Sequence, residues 1–285
     1  MQHYWQTTRF QIDLSRPQVM GIVNVTPDSF SDGGRHGDAH SAIAHCERLL
    51  GEGVDILDIG GESTRPGSQQ VDAPTEWARI EGVLRAALSM GVPVSVDTCK
   101  TEVMSRALDL GVDIINDVQA LQAPGALALL AAQPAAGVCL MHMRGEPGTM
   151  QQLTDYRDLV GEVAGFLAGR VAAAVAAGIA PLRLVLDPGY GFAKTFEQNW
   201  TLLRRQRELL ALGYPLLVGW SRKRSLGELT GREVGERLPA SLAAALAALA
   251  QGARVLRVHD VAPTVDALKV WAAAGGPGLA DNTGH

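Results

Sequence analysis

Eight short runs of β-branched and aliphatic residues recur along the chain, each closing on polar residues or glycine. They are VMGIVN (19–24), VDILDIGG (54–61), PVSVD (93–97), VDIIND (112–117), AGVCLMH (136–142), LRLVLDPG (182–189), PLLVGWS (215–221) and ARVLRVHD (253–260). From Asn24 to His259 the spacing averages roughly 34 residues, the length of one βα unit. Helical patterns fill the gaps. SAIAHCERLLGEG places Ile43, Cys46, Leu49 and Leu50 on one stripe, with Gly51 or Gly53 to end the helix in a left-handed residue. TCKTEVMSRALDLG opens on a threonine that can cap, packs Val103, Met104, Ala107 and Leu108, and stops at Gly111. Strands apolar on both faces, alternating with helices, imply a parallel sheet covered by helices.

Eight such units without a change of composition predict an α/β fold with a single-domain (β/α)8 TIM barrel. A doubly wound open sheet is the alternative. The expected division is a lead-in over 1–18, the barrel over 19–275 and a flexible tail over 276–285, with long mobile loops after the first and second strands. At 285 residues the chain can bury a large core. Its formal net charge of −5 offers no general attraction to nucleic acid or an anionic membrane, so any anion site is local. The three cysteines have neither a C-x-x-C spacing nor an even count, which suits a reducing compartment. MQHYWQTTRF has no signal-peptide pattern, and the apolar tract LPASLAAALAALAQGARVL reads as a buried helix. A soluble, cytoplasmic enzyme is expected.

In such barrels the chemistry stands at the C-terminal ends of the strands. Those ends are Asn24, GGESTRPG, Asp97, Asn116–Asp117, MHMR, DPGYGFAK, GWSRKR and RVHD. One strand-end Asp or Asn is often only a helix cap; nearly every strand ending this way is not packing. Asp97, Asn116 and Asp187 offer acceptors, suited to the donor-rich edge of an amino-pyrimidine-like heterocycle. Arg65, Lys223, Arg257, His259 and the GGESTRPG backbone offer donors and positive charge for phosphate. There is no Walker loop, no G-x-G-x-x-G after a strand and no G-x-S-x-G elbow. Cys99 has no marks of an activated thiol, and His36, His40 and His45 read as surface residues.

VNVTPDSFSDGG, DIGGESTRPG, SVDT, INDV, LDPGYGFAK, SRK and RVHDV, in this order from about Val19 to Val261, resemble the dihydropteroate synthase family. The resemblance implies a homodimeric barrel transferase of folate biosynthesis, the target of sulfonamides. Such an enzyme joins 6-hydroxymethyl-7,8-dihydropterin pyrophosphate to p-aminobenzoate with Mg2+. It implies that Asp97, Asn116, Met141, Asp187, Lys223 and Arg257 bind the pterin, with Asp97, Asp187, Lys223 and Arg257 carrying catalysis. Asn24, Thr64, Arg65, Arg257 and His259 are implied for pyrophosphate, with Asn24 as the protein contact to the metal. Phe30, Thr64, Pro66, Phe192, Ser221 and Lys223 are implied around p-aminobenzoate, Phe30 arriving on a lid. Small departures occur at Gln119, Tyr190 and Arg224; none replaces an implied ligand. Two rivals are a pterin-binding methyltransfer module, which has no need of the TPDSFSDGG and GGESTRPG loops, and a catalytically silent scaffold, which would not need Asn24, Lys223 and Arg257.

Overall fold

The structure, a computed structural model, describes residues 2–26, 34–63, 67–68 and 70–276. A small antiparallel hairpin, β1 (Tyr4–Gln6) and β2 (Gln11–Asp13), precedes the barrel. The barrel strands are β3 (Gln18–Asn24), β4 (Ile56–Gly60), β5 (Val94–Asp97), β6 (Ile114–Asp117), β7 (Gly137–Met141), β8 (Leu184–Asp187), β9 (Leu216–Val218) and β10 (Ala253–Val258). They are parallel, stand in chain order, and close where β10 pairs with β3. Each matches one of the eight apolar runs. The outer layer is α1 (Gly34–Gly51), α2 (Ala73–Ala87), α3 (Thr101–Leu110), α4 (Ala126–Ala132), α5 (Leu159–Ala176), α6 (Phe196–Arg204), α7 (Arg224–Thr230), α8 (Leu238–Ala250) and α9 (Val261–Ala273). The (β/α)8 barrel expected from the spacing is the observed fold, and the open sheet is excluded.

Two apolar layers hold it. Outward-facing strand residues such as Val19, Val23, Leu57, Ile59, Val96 and Ile115 pack against the buried stripes of the helices. Inside, Met20, Ile56, Ile114, Cys139, Val185, Leu217 and Val255 form one buried set with Trp5, Ile12 and Leu14 of the N-terminal segment. The hairpin therefore plugs the barrel at the N-terminal ends of its strands. Trp5 Nε1 donates to the Arg183 carbonyl at 2.9 Å. Gly137 makes room for the plug: a Cβ there would stand 2.9 Å from Trp5 Nε1 and 3.2 Å from the Gln6 carbonyl. The buried Arg183 guanidinium donates to the carbonyls of Leu130, Gln133 and Ala136, satisfying groups that α4 leaves open at its C-terminal end.

Helix ends follow local chemistry, with two differences from expectation. Gly53 and Gly111 are left-handed, as the stops of α1 and α3 require. Thr98, expected to cap α3, instead accepts from the Lys100 N–H at 3.2 Å, ahead of the helix; the N-cap is Lys100, without a side-chain cap. His45 is half-buried rather than on the surface, with Nε2 3.2 Å from the Ile22 carbonyl, because α1 lies close over β3. The alanine-rich tract forms α8, 13 residues long. By length and composition α5 alone among the described helices reaches bilayer dimensions, but Leu159, Val160, Val163, Leu167 and Ala174 are buried within the fold. Of the two loops expected to be long, residues 27–33 of the first and 64–66 and 69 of the second lie outside the described residues, as does most of the tail.

Candidate active site

Side chains two residues apart on a strand share a face, so the interior ladder continues upward from the apolar plug. Met20 leads to Ile22 and Asn24, Ile56 to Asp58, Ser95 to Asp97, and Ile114 to Asn116. Cys139 leads to Met141, Val185 to Asp187, Leu217 to Gly219, and Val255 to Arg257. One step along the same face, five of the eight strands bring in a polar or charged side chain: Asp58, Asp97, Asn116, Asp187 and Arg257. Above this layer opens a cavity of about 780 Å³. Its wall includes Asn24, Asp97, Asn116, Met141, Asp187, Phe192, Ser221, Lys223, Arg257 and His259, together with Ile22 and Gly219. The first ten of these are all the implied site residues that the structure describes; Phe30, Thr64, Arg65 and Pro66 lie outside the described residues.

Arg257 is the electrostatic centre of the floor. Its Nε donates to Asp58 Oδ2 and its NH2 to Asp97 Oδ2, both at 2.6 Å. Asp58 also receives the Asn116 amide at 3.3 Å. Burial works against the guanidinium charge, but Asp58, Asp97 and Asp187 more than offset it and raise its pKa. Burial pushes the Asp97 carboxyl up, against the pull of Arg257 and with Asp58 pushing the same way. Asp97 Oδ1 is buried and has no hydrogen-bond partner, an acceptor with capacity for a ligand donor. Burial also raises Asp187, opposed first by the Gly189 N–H, which Oδ1 accepts at 2.7 Å, and then by Lys223.

The loop after β8 is shaped by its glycines and by one lysine. Gly189 has φ +70°, and a Cβ there would fall 1.9 Å from the His142 carbonyl, so no other residue fits. The buried Lys194 ammonium donates to the carbonyls of Gly189 (2.8 Å) and Phe192 (3.0 Å) and to His142 Nδ1 (3.0 Å). While Lys194 is charged it cannot accept, so His142 then carries its proton on Nε2. Burial pushes His142 down to about 2, with Lys194 adding to it, and pushes Lys194 down to about 7 against the pull of Asp187. This lashing sets Phe192, whose ring centroid lies 4.3 Å from Lys223 Nζ. At the rim, Ser221 Oγ accepts from His259 N–H at 3.1 Å and meets its Nδ1 at 3.0 Å. That contact joins a residue implied for p-aminobenzoate to one implied for pyrophosphate.

Asp58 is a residue that a reading of strand ends alone misses, whereas His142 and Lys194 lie in the strand-end stretches MHMR and DPGYGFAK and only their mutual contact escapes it. Asp58 had a signal: a carboxylate in the middle of the apolar run DILDIG, on the face two residues beyond Ile56. The Lys194–His142 contact spans 52 residues and has none. Cys99 is not an activated thiol, since burial pushes it up to about 12. Among the described residues no three His, Cys, Asp or Glu side chains gather as a metal cage. Mg2+ commonly takes one or two protein oxygens and fills the rest with water and phosphate. The Asn24 carboxamide on the cavity wall fits that modest demand.

Comparison with known proteins agrees with this geometry. The pterin binding enzyme family matches residues 20–259. Dihydropteroate synthase of Neisseria meningitidis serogroup C is 56% identical over 277 residues, covering 96% of this chain and 98% of the relative. The Xanthomonas albilineans dihydropteroate synthase structure with 4-aminobenzoic acid superposes with a TM-score of 0.91 at 49% identity, covering 96% of this chain and 99% of that one. The same enzyme in complex with 7,8-dihydropteroate gives 0.86 at 48% identity, covering 95% and 98%. The chain belongs to the pterin binding enzymes and, within them, to the dihydropteroate synthase family.

Proposed function

We propose that this chain condenses 6-hydroxymethyl-7,8-dihydropterin pyrophosphate with p-aminobenzoate, releasing 7,8-dihydropteroate and pyrophosphate. One observation carries the reading most: a single cavity holds a buried acceptor set, Asp97, Asn116 and Asp187, beside the cations Arg257 and Lys223. The acceptors match the amino and ring N–H donors of a pterin, and the cations match a diphosphate. Arg257, already between Asp58 and Asp97, would lie against the pterin ring and reach towards the phosphate. Met141 supplies an apolar contact, and Phe192 with Lys223 forms a wall for the flat ring of p-aminobenzoate. Ser221 lies at the same end. Thr64, Arg65, Pro66 and Phe30 complete the two subsites in this reading.

The reacting methylene is attached to an electron-rich dihydropterin, so its C–O bond can break early. Pyrophosphate leaves with the electron pair, and the resulting cation is delocalised into the ring. The aryl amine then forms the C–N bond and loses its proton to solvent or to the departing anion. Asp97 and Asp187 stabilise the positive charge from a site with little water, where such interactions are strong. Arg257, Lys223 and His259 stabilise the leaving anion. Asn24 would help to hold Mg2+, which would supply further charge neutralisation at the leaving anion. The amine needs positioning rather than a strong base. Pterin pyrophosphate binds first, since its anion helps to assemble the second substrate's site.

The same reading makes the protein a cytoplasmic homodimer, supported by three free thiols and by the exposed Leu229, Val234 and Val270 along the α7–α9 side. Equilibrium binding tests the substrate order. p-Aminobenzoate is expected to be captured when pyrophosphate and Mg2+ are present and not in their absence. Equal capture in both conditions contradicts the ordered site.

A further inference from the structure

We propose that Arg222 and Asp260 form a positioning pair that holds the turn between β9 and α7 in a strained conformation and so aims Ser221 and Lys223 into the cavity. The inference rests on the synthase reading above and gives the pair a role through its neighbours, although Arg222 itself reaches the cavity wall. Trp220 to Lys223 form a four-residue turn closed by the Lys223 N–H on the Trp220 carbonyl at 3.2 Å. Its third residue, Arg222, has φ +58°. Turns of this kind favour glycine or asparagine there, because a Cβ is disfavoured in the left-handed region. An arginine persists in such a conformation only where its surroundings over-determine it.

They do so from three sides. The guanidinium makes a two-pronged bond to Asp260, Nε to Oδ2 at 3.1 Å and NH2 to Oδ1 at 2.6 Å. The Arg222 N–H donates to Ser241 Oγ at 3.0 Å, and that hydroxyl donates on to the Arg237 carbonyl at 2.8 Å. The Arg222 carbonyl accepts from Arg237 NH1 at 3.3 Å. The strained residue stands directly between Ser221, which contacts His259, and Lys223, which contacts the Phe192 ring. Asp260 in turn directly follows His259. The pair thus locks the end of β9 to the end of β10, the two strand ends that carry Ser221, Lys223, Arg257 and His259. Glycine would adopt the same turn without strain, but would also leave it free to adopt others; the fork-to-carboxylate bond selects one.

The test compares Arg222→Ala with Arg222→Gly, each with and without Asp260→Asn, reading kcat and KM for p-aminobenzoate together with Tm. Arg222→Ala keeps the Cβ and loses the clamp, so kcat/KM is expected to fall about 100-fold. Arg222→Gly removes more of the side chain yet permits the turn, so it should recover about 10-fold of that loss, with a Tm no lower than that of Arg222→Ala. Asp260→Asn should lower kcat/KM about 10-fold when Arg222 is intact, and should have no further effect when combined with Arg222→Gly. Equal activity of the Ala and Gly variants overturns the proposal. So does an Asp260→Asn loss that persists after Arg222→Gly has already removed the clamp. A wild-type protein that forms no dihydropteroate overturns instead the synthase reading on which the proposal rests.

Discussion

A single guanidinium between two buried carboxylates sets the charge balance of the cavity. Arg257 answers Asp58 and Asp97 together, while Asp187 is offset by a backbone N–H and by Lys223. Replacing Asp187 by Asn or Lys223 by Ala is expected to lower kcat/KM by about 1,000-fold with Tm little changed, because both face the cavity rather than the packed layers. Near-normal turnover in either variant contradicts their roles. Asp58→Asn removes an ionic partner of Arg257 and should cost about 10- to 100-fold in kcat/KM through the misplaced guanidinium; steady-state kinetics on the purified variant reads this directly. His142 makes a prediction about pH. It stays neutral in the fold down to about 2, while an unfolded His protonates near 6.5, so the unfolded state binds the extra proton in between. Stability is therefore lost as pH falls below 6.5, by about 2 kcal/mol at pH 5 for this group. Denaturant melts at pH 7 and pH 5 should show a smaller loss for His142→Gln than for the wild type. The strand-end acceptors were legible in the sequence because each follows an apolar run; the contact between Lys194 and His142 was not, because folding alone makes it.

Among the elements, the barrel strands were readable and the plug was not. Eight apolar runs announce eight strands, whereas β1 and β2 are three residues each and belong to no βα unit. Their trace in the sequence is only the scattered apolar Trp5, Ile12 and Leu14, and it is tertiary closure of the barrel base that buries them. Interior alternation was equally present in the sequence, but which parity faces inward is fixed only once the barrel closes. That is why Asp58 escaped a reading confined to strand ends. Trp5→Ala should destabilise the fold by about 3–5 kcal/mol in chemical denaturation while leaving KM for both substrates unchanged, since the plug and the cavity stand at opposite ends of the strands. A large change in KM with unchanged stability contradicts this separation of roles.

At the scale of the whole molecule, stability and chemistry share one set of strands. The interior is apolar at its base and largely polar one residue pair higher, so the apolar core directly supports the polar floor of the cavity. The chain's overall negative charge leaves room for a local anion site, because the cations Arg257 and Lys223 stand on the cavity wall. The most direct test of this account is pyrophosphate release by the purified protein with dihydropterin pyrophosphate, p-aminobenzoate and Mg2+. Release is expected only when both substrates are present, in step with dihydropteroate formation, and is expected to fall when a sulfonamide competes with p-aminobenzoate. Release that is indifferent to p-aminobenzoate, or no release at all from folded protein, contradicts it.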